Sequence, residues 1–320
     1  MSLAGQSQAQ SANPLEQLRQ HSTVVADTGD IDSVARLQPT DATTNPSLVL
    51  AAAANPAYAA LIDAARQVAA RDGASAAVES LIVDFGRRIL EHVPRWVSTE
   101  VDARLSFDTA ATVAQARRLI ARYEAGGTGR ERVLIKIAAT WEGIRAASVL
   151  EAEGIRCNLT LIFSAVQAAA CADAGVTLIS PFVGRILDWH KARDTDADFS
   201  GDQDPGVRSV RGIAAHYRQR GAATLVMGAS FRNTDQIRAL AGCDLLTISP
   251  ALLDELASQD APVGRAIDAV DTPLPSLPVW ISETAFRYLL NDDAMASDRL
   301  ADGIRRFAAD QARLEALLSA

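Results

Sequence analysis

Lys136 is the residue whose type and position point most directly to chemistry. Of the 31 lysines and arginines, 29 are arginine and only two are lysine, and Lys136 lies in the apolar run 133–139. Burying an ammonium group is costly unless it is paired, and burial lowers the pKa of a lysine and frees a nucleophilic amine. Such an amine forms Schiff bases with carbonyl substrates, so the run predicts a catalytic lysine. The alternative is a lysine whose charged end reaches solvent from a half-buried edge strand.

Polar residues recur at two-residue spacing in the other strand-like runs. Because alternate residues of a strand face the same side, these residues are predicted to share one face with Lys136. The groups are Thr43 with Asn45, Ser98 with Glu100 and Asp102, Asn158 with Thr160, Ser180 with Phe182, and Ser230 with Arg232. The alternate residues, which are predicted to face the helices, are apolar. They are Val97, Val101, Val133, Ile135, Ile137, Leu159, Leu161, Phe163, Leu225, Met227 and Ala229. The polar groups lie toward the carboxyl halves of the strands, where barrel enzymes assemble their sites, which strengthens the catalytic interpretation of Lys136.

Eight strand-like runs alternate with helical stretches and predict the frame that positions these residues. The runs are 23–27, 41–45, 97–102, 133–138, 157–163, 176–183, 223–230 and 245–250. Helices rich in alanine and leucine are predicted at 109–125, 141–153, 165–174, 210–220 and 234–241, and four of them end at Gly154, Gly175, Gly221 and Gly242. Eight such units predict an α/β fold with a single (β/α)₈ TIM-type barrel. A doubly wound open sheet is the alternative.

Five segments lie outside this eightfold pattern. The stretch 46–94 is long enough for two or three helices, and the Asp- and Gly-rich stretch 194–204 is predicted to be a mobile loop. After a Pro-rich passage at 271–278, a long amphipathic C-terminal helix is predicted from about 292 to 318, packed outside the barrel or over its mouth. The polar residues 1–14 are predicted to form a disordered tail, and residues 15–320 a single catalytic barrel domain.

Composition narrows the class of protein. The net charge of −8 and the pI near 5.1 argue against nucleic acid or an anionic membrane as the main partner. No apolar run approaches the roughly 20 residues that span a bilayer, and residues 1–14 do not resemble a signal peptide, so a cytoplasmic location is expected. The cysteines, Cys157, Cys171 and Cys243, are expected to be buried free thiols. The four histidines have no metal-binding spacing, so no metal is expected. A homodimer is left open.

Seven motifs, in order along the chain, resemble signatures of the transaldolase family. They are Asp-Thr-Gly-Asp at 27–30, Asp-Ala-Thr-Thr-Asn-Pro-Ser at 41–47, Val-Ser-Thr-Glu-Val-Asp-Ala-Arg at 97–104, Ile-Lys-Ile-Ala-Ala-Thr-Trp-Glu-Gly-Ile at 135–144, Cys-Asn-Leu-Thr-Leu at 157–161, Ile-Ser-Pro-Phe-Val-Gly-Arg at 179–185 and Met-Gly-Ala-Ser-Phe-Arg-Asn at 227–233. One such motif is weakly specific, whereas seven in order are highly specific. The resemblance runs from about residue 15 to the C-terminus and is closest to the long, classical transaldolases with an extra C-terminal helix.

The resemblance implies a class I mechanism that needs neither a metal nor another cofactor. Lys136 attacks C2 of a ketose phosphate and forms an iminium. Glu100 moves protons during dehydration through a water that Thr160 orients, and Asp27 takes the proton of the C4 hydroxyl as the C3–C4 bond breaks. The implied substrate-binding residues are Asn45 and Asn158 for the three-carbon fragment, Arg185, Ser230 and Arg232 for the terminal phosphate, and, in addition, Ser180 and Phe182.

From the residues alone, each assignment also has a purely structural alternative. Asp27 could cap a helix, Asn45 could form a turn or cap a helix, and Glu100 could form an ion pair with an arginine such as Arg104. Asn158 and Thr160 could serve only as hydrogen-bonding residues inside the barrel. Arg185 and Arg232 could be exposed surface residues, and Phe182 could be an apolar packing residue.

Three functions remain under consideration. The first is a transaldolase, which transfers dihydroxyacetone from sedoheptulose 7-phosphate or fructose 6-phosphate to glyceraldehyde 3-phosphate or erythrose 4-phosphate in the non-oxidative pentose phosphate pathway. The second is a related class I lyase such as fructose-6-phosphate aldolase. Chains of that type have glutamine and tyrosine where this chain has Glu100 and Phe182, so these residues favour transfer. The third, a non-catalytic sugar-phosphate-binding barrel, requires Lys136 to be silent.

Overall fold

Eight parallel strands close into a barrel in the computed structural model, which describes residues 12–267 and 280–319. The strands are β1 (Thr23–Asp27), β2 (Asp41–Thr43), β3 (Val97–Glu100), β4 (Val133–Ala138), β5 (Cys157–Ile162), β6 (Leu178–Pro181), β7 (Leu225–Gly228) and β8 (Leu245–Ile248). Each strand pairs with the next one in the chain, and β8 pairs with β1. The predicted (β/α)₈ barrel is therefore confirmed, and the doubly wound open sheet is wrong.

Fourteen α-helices of the described residues surround the strands or extend from the barrel. They are α1 (Pro14–Arg19), α2 (Ile31–Leu37), α3 (Pro46–Ala53), α4 (Ala59–Asp72), α5 (Ala74–Leu90), α6 (Thr109–Ala125), α7 (Trp141–Ala152), α8 (Ala165–Asp173), α9 (Val183–Lys191), α10 (Pro205–Arg220), α11 (Thr234–Ala239), α12 (Pro250–Ser258), α13 (Glu283–Asp292) and α14 (Ala294–Ser319). Short 3₁₀ helices lie at Pro56–Tyr58, Ala103–Leu105, Arg130–Arg132 and Gly201–Gln203. The stretch 46–94 thus contains three α-helices, as predicted.

Glycines end several of the helices that return the chain to the barrel. Gly154, Gly175, Gly221 and Gly242 have φ values of 76°, 67°, 61° and 104°, a region that is costly for residues with a Cβ atom. The predicted helix ends at these glycines are therefore confirmed to within two residues. All three cysteines are buried and free, as expected.

Several strands end earlier than the sequence pattern predicts. Asn45 and Asp102 lie beyond the ends of β2 and β3 because each side chain caps a helix, α3 and the 3₁₀ helix Ala103–Leu105 respectively. A capping residue must leave the strand ladder so that its side chain can accept a hydrogen bond from the next turn. The polar ends of the motifs consequently lie in short loops at the mouth of the barrel.

The predicted alternation fails in β5 after Leu159. Leu159 faces the helices as expected, but Leu161 and Phe163 pack in the cluster at the barrel mouth. Leu161 has φ 57° and the pairing register with β6 shifts between Leu159 and Ile162, so Ile162 takes the helix-facing position instead. A β-bulge of this kind inserts one residue and reverses the side of every residue that follows.

The predicted orientation of β7 is also wrong. Leu225, Met227 and Ala229 were predicted to face the helices, but Leu225 and Met227 pack inside the barrel, and Met227 and Ala229 line the cavity at its mouth. Ser230 has φ 62°, and this left-handed residue lets Ser230 face the cavity as well, directly after Ala229. Counting backward from Ser230 by alternation therefore assigns the wrong face to the strand.

The barrel interior has an apolar base and a polar upper part. The base is a cluster of Val25, Leu134, Leu178, Met227 and Leu245. Above it, toward the carboxyl ends of the strands, the interior holds the hydroxyl, amide, carboxylate and amine groups described below. The larger apolar core lies between the strands and the outer helices. The base closes the barrel, so the polar groups open only toward the mouth.

The C-terminal helix α14 covers the mouth and continues along the outside of the barrel. Leu300, Ile304 and Phe307 pack in the mouth cluster, whereas Leu314 and Leu318 pack in the outer core. The long C-terminal helix predicted from about 292 to 318 is confirmed as α14, which begins at Ala294; α13, which ends at Asp292, precedes it. The predicted Pro-rich passage 271–278 lies outside the described residues.

At the N-terminus, Asn13 caps α1, which begins at Pro14, and residues 1–11 of the predicted tail are likewise outside the described part. Within the described residues no single helix is long and apolar enough to cross a membrane. One bent pair, Pro46–Ala53 with Pro56–Asp72 at 94°, meets the criteria of length and composition only.

Candidate active site

Glu100, Lys136 and Asn158 stand side by side on three neighbouring strands. Glu100 is in register with Lys136 across β3 and β4, and Lys136 is in register with Asn158 across β4 and β5. The three side chains therefore project into the barrel next to one another, with Glu100 at the carboxyl end of β3 and Lys136 in the second half of β4. These residues confirm the prediction that the polar faces of neighbouring strands meet at Lys136.

Lys136 forms a buried ion pair with Glu100. The Lys136 Nζ atom lies 3.3 Å from Glu100 Oε2, and the two side chains are only 5% and 4% exposed. Among the ion pairs of the described residues this is the one in which both partners are buried. Nζ also donates to the backbone carbonyl of Thr44 at 3.2 Å. Glu100 therefore has Lys136 as its partner, and the alternative pairing with Arg104 is wrong, since Arg104 pairs with Asp102 and Glu315.

Burial raises the pKa of Glu100, and the nearby charge of Lys136 opposes that rise only in part. A carboxylate with a raised pKa is a stronger base, and it can accept a proton from an adjacent ammonium more readily. This matters because only the neutral amine of Lys136 can attack a carbonyl carbon. The pair thus places an amine in direct contact with a carboxylate whose pKa is raised.

Asp27, at the end of β1, is the second carboxylate of the site. Thr43 donates a hydrogen bond to Asp27 Oδ1 at 3.0 Å, and the Thr43 hydroxyl is also 2.7 Å from the hydroxyl of Thr247. Because Thr43 has one proton and directs it to Asp27, Thr247 must be the donor in the second contact. Burial raises the pKa of Asp27, with Lys136, the Thr43 hydrogen bond and Arg185 lowering it to a smaller extent. Asp27 does not cap α2, where Asp30 has that role.

The amide and hydroxyl residues divide between the cavity and the barrel interior. Asn45 lines the cavity, and it also caps α3 by accepting a hydrogen bond from Leu48 N at 3.0 Å. It therefore acts as a helix cap and also lies at the predicted site. Asn158 is fully buried, donates to Ser98 Oγ at 3.0 Å and accepts from Ser180 Oγ at 2.6 Å. Ser180 lines the cavity and connects Asn158 to it.

Thr160 lies one alternation further along β5 than Asn158, in register with Ala138. Its side chain is fully buried, and its hydroxyl has no hydrogen-bond partner among the described residues. A buried hydroxyl without a protein partner has capacity to bind a water molecule. This is the arrangement that a water-orienting residue requires.

Arg185, on the first turn of α9, is the arginine that lines the cavity. It lines the cavity together with Phe182 and Ser230, and its Nη1 atom is buried without a hydrogen-bond partner in the described part. Burial lowers the pKa of Arg185, and repulsion from Arg232 and Arg306 lowers it further. Phe182 packs in the mouth cluster as well as facing the cavity. The interpretation of Arg185 as an ordinary surface arginine is therefore wrong.

Arg232 lies at the edge of the site and does not line the cavity. It forms an ion pair with Asp188 of α9 at 2.7 Å, with both side chains about 40% exposed, and it also donates to the Ser230 backbone carbonyl at 3.2 Å. Its position beside Ser230 places its charge near that of Arg185. Among the predicted site residues, Arg232 therefore fits the alternative of an exposed surface position best.

Five cavity residues were absent from the predicted site: Thr43, Met227, Ala229, Thr247 and Phe307. Thr43 was recognised as inward-facing, and Thr247 could have been found by the same alternation in β8. Met227 was missed because the break at Ser230 reversed the parity. Phe307 is on α14, and nothing in an amphipathic pattern shows which apolar residue of a helix meets a distant cavity. No group of three or more His, Cys, Asp or Glu side chains in the described residues is arranged to hold a metal ion.

The chain is similar to proteins of one enzyme family. A family model described as transaldolase/fructose-6-phosphate aldolase matches residues 24–318. A transaldolase of Methylibium petroleiphilum is 57% identical over 317 residues, covering 97% of this chain and 99% of that protein. A transaldolase of Marinobacter nauticus is 56% identical over 307 residues, covering 94% and 96%. The crystal structure of KGPDC from Streptococcus mutans has a TM-score of 0.41 and 9% identity over 77% of this chain and 93% of that one, too distant a likeness to support an argument.

Proposed function

The chain belongs to the transaldolase/fructose-6-phosphate aldolase family, and we propose that it is a transaldolase. In this proposal the enzyme takes a dihydroxyacetone unit from sedoheptulose 7-phosphate or fructose 6-phosphate. It passes that unit to glyceraldehyde 3-phosphate or erythrose 4-phosphate, within the non-oxidative pentose phosphate pathway of the cytoplasm. Sugar phosphates are the proposed partners, and neither nucleic acid nor membrane is among them. Light scattering would decide between a monomer and a homodimer.

The contact between Lys136 and Glu100 carries this proposal. An amine and a carboxylate 3.3 Å apart, both buried and beside a second carboxylate, are an unfavourable way to fill a barrel interior, where apolar side chains avoid the desolvation of two charges. The same contact suits Schiff-base chemistry, because Glu100 can take the proton of the ammonium and leave a nucleophilic amine. The apolar base of the barrel shows that this fold can fill its interior without charges.

In the first half of the proposed reaction, the neutral amine of Lys136 adds to C2 of the ketose phosphate and forms a carbinolamine. Glu100, through a water held by Thr160, protonates the C2 hydroxyl, which leaves as water, so that an iminium remains. Asp27 then accepts the proton of the C4 hydroxyl while the C3–C4 bond breaks. The electron pair of that bond moves into the iminium, and the aldose phosphate leaves. An enamine of dihydroxyacetone stays attached to Lys136.

In the second half, an acceptor aldose phosphate enters and the same steps run in reverse. The enamine carbon attacks the aldehyde carbon, Asp27 returns its proton to the new C4 hydroxyl, and water hydrolyses the iminium. Asn45, Asn158 and Ser180 are proposed to bind the hydroxyls of the three-carbon fragment. Fixed hydrogen-bonding groups discriminate strongly among polyols, because a missing hydroxyl leaves a buried polar group unpaired.

Borohydride trapping tests the proposal. The protein is incubated with fructose 6-phosphate, reduced, digested and mapped by mass spectrometry; a three-carbon adduct is expected on Lys136 and not on Lys191, the other lysine of the chain. Lys136→Arg keeps the positive charge but cannot form the imine, so this variant should lose both adduct and turnover while it remains folded. Retention of a tenth of the wild-type transfer activity would show that Lys136 is not the nucleophile. EDTA should leave the wild-type rate unchanged.

The related lyase is distinguished by omitting the acceptor. A transaldolase retains the three-carbon unit until an aldose phosphate arrives, whereas a fructose-6-phosphate aldolase releases dihydroxyacetone at each turnover. Glu100 and Phe182 stand where such lyases have glutamine and tyrosine, which supports transfer. Continuous release of dihydroxyacetone from fructose 6-phosphate alone, at the rate seen with an acceptor, would favour the lyase.

A further inference from the structure

Arg185 is held by aromatic rings, and no hydrogen bond of its side chain is present in the described part. The Cζ atom of its guanidinium is 4.9 Å from the ring centroid of Phe182 and 5.5 Å from that of Phe307. Its Nη1 atom is buried without a hydrogen-bond partner. Contact with ring faces stabilises the cation without using its N–H donors. The guanidinium is therefore fixed in place while its donors remain free.

Phe307 is itself firmly held. It is only 2% exposed and packs in the mouth cluster with Phe163, Phe182 and Ile304. The rings of Phe163 and Phe182 meet edge to face with centroids 5.6 Å apart. Each ring near Arg185 is thus packed against further apolar side chains, so neither can turn away without disrupting the cluster. The position of Arg185 follows from the packing of α14 against the barrel.

Gly303, one helical turn before Phe307, allows α14 to approach this closely. A Cβ atom at position 303 would be 2.6 Å from Leu161 Cδ2 and 3.4 Å from Arg185 Nη1. Residues i and i+4 lie on the same face of a helix, so Gly303 and Phe307 together present the surface of α14 that meets Arg185. The bulge in β5 completes this contact, because it turns Leu161 toward α14.

The electrostatic surroundings of Arg185 favour an anionic ligand. Within the described residues Arg185 has no ion pair with a carboxylate at contact distance. Arg232 and Arg306 repel its charge, while Asp302 and Glu100 attract it to a smaller extent. The Arg185 side chain is partly buried, has a buried Nη1 atom without a hydrogen-bond partner and forms no ion pair in the described part, so a phosphate dianion in the cavity would supply a direct counter-charge.

We propose that Phe307 is a positioning residue for phosphate recognition, which holds Arg185 with its free N–H groups directed into the cavity. The C-terminal helix is then part of the substrate site as well as a cover over it. This inference rests on the proposed function, in which the cavity receives a sugar phosphate. It assigns to α14 a role that acts through Arg185, without contact between Phe307 and the reacting carbons.

The test compares three variants of the full-length protein. Phe307→Leu removes the ring but keeps an apolar side chain, and Phe307→Tyr keeps the ring. Leu314→Ala, two turns further along α14 and fully buried in the outer core, is the matched control for weakened helix packing. Isothermal titration calorimetry with inorganic phosphate measures phosphate binding directly. Steady-state kinetics with fructose 6-phosphate and with unphosphorylated fructose measure how much catalysis depends on the substrate phosphate. Thermal unfolding monitors the fold.

Phe307→Leu should weaken inorganic phosphate binding and raise KM for fructose 6-phosphate by about three- to tenfold, the range of a lost cation–π contact. Turnover of unphosphorylated fructose should fall by a smaller factor than that of fructose 6-phosphate, and Phe307→Tyr and Leu314→Ala should bind phosphate like the wild type. Wild-type phosphate affinity in Phe307→Leu, equal losses with both sugars, or the same loss in Leu314→Ala would each overturn the inference. Absence of a borohydride-trapped adduct in the wild type would instead contradict the proposed function, since phosphate titration is read without turnover.

Discussion

Asp27 is the residue whose proposed role is most directly accessible to chemistry, because its step follows imine formation. Asp27→Asn keeps the shape of the side chain and an acceptor for the Thr43 hydroxyl, but an amide cannot take the C4 proton. The variant should therefore form the iminium at Lys136 and fail to break the C3–C4 bond. Borohydride reduction with fructose 6-phosphate should trap a six-carbon adduct. Trapping of the three-carbon adduct alone would contradict the role of Asp27 in cleavage.

Asp27 should also make the stability of the protein depend on pH. Its pKa in the folded state is raised above the ordinary 3.8, so the folded state holds this proton more tightly than the unfolded state. The stability that this group contributes is present below its ordinary pKa and is lost as pH rises through the folded value. The Asp27→Asn variant has no ionisable group at this position, so it does not lose stability in this way.

The difference in melting temperature between Asp27→Asn and the wild type should accordingly shift in favour of the variant as the pH rises above the ordinary pKa of an aspartate, 3.8. Differential scanning calorimetry at pH values below and above this pKa provides the measurement. Thr43→Val is a useful companion, because it removes the hydrogen bond to Asp27 without removing the carboxylate. A constant difference at all pH values would show that the charge of Asp27 is not destabilised by the fold.

Much of the candidate site can be found from residue types alone, because its chemistry contradicts ordinary packing. A lysine in an apolar strand and polar residues at two-residue spacing are expensive inside a barrel, so they are conspicuous. Thr247 and Phe307 do not stand out in this way. A threonine is common in strands, and a phenylalanine is common in any buried helix face, so only the folded arrangement shows that these two meet the cavity.

At the scale of elements, two residues with positive φ decide which side chains reach the mouth. Leu161 and Ser230 reverse the alternation of β5 and β7. Neither residue type favours the left-handed region, so the sequence contains no local signal for the reversal. Tertiary contacts hold the bulge in β5: the Gln167 side chain donates to the carbonyls of Ala139 and Leu161 and accepts from the amide groups of Phe163 and Ser164.

The first turn of α9 and the loop after β7 carry the two guanidiniums proposed to bind phosphate. Arg232→Ala should weaken binding of phosphorylated substrates by roughly 1.5–3 kcal/mol, the value of a charge-assisted hydrogen bond. Activity with unphosphorylated fructose should be nearly unchanged, because the reacting groups are elsewhere. Loss of the exposed pair with Asp188 should contribute little, since exposed ion pairs are worth at most about 1 kcal/mol.

Steady-state kinetics with both sugars provide the measurement for Arg232→Ala. Arg193→Ala is the matched control, because Arg193 also forms an exposed ion pair, with Asp298 at 3.0 Å, and does not line the cavity. Equal losses with phosphorylated and unphosphorylated sugars in Arg232→Ala would mean that Arg232 supports the fold or the chemistry instead of recognising phosphate.

At the scale of the whole molecule, the eightfold repeat explains why the barrel could be predicted. Each strand of the closed barrel pairs with its neighbours in the chain, so local patterns of apolar runs and helix-ending glycines determine most of the architecture. The course of α14 could not be predicted in the same way. Its apolar face meets both the mouth cluster and the outer core, contacts with residues far away in the sequence that no local pattern specifies.

The attachment of α14 to the barrel should depend on apolar packing more than on ion pairs. Leu314 is fully buried, and Leu314→Ala should lower the free energy of unfolding by about 2–5 kcal/mol. Its neighbour Glu315 pairs with Arg104, whose side chain is 44% exposed, so Glu315→Gln should cost at most about 1 kcal/mol. Urea unfolding followed by circular dichroism compares the two variants with the wild type under identical conditions. A loss in Glu315→Gln as large as that in Leu314→Ala would show that the ion pair between α14 and the loop after β3, instead of the buried apolar face, holds the C-terminal helix over the site.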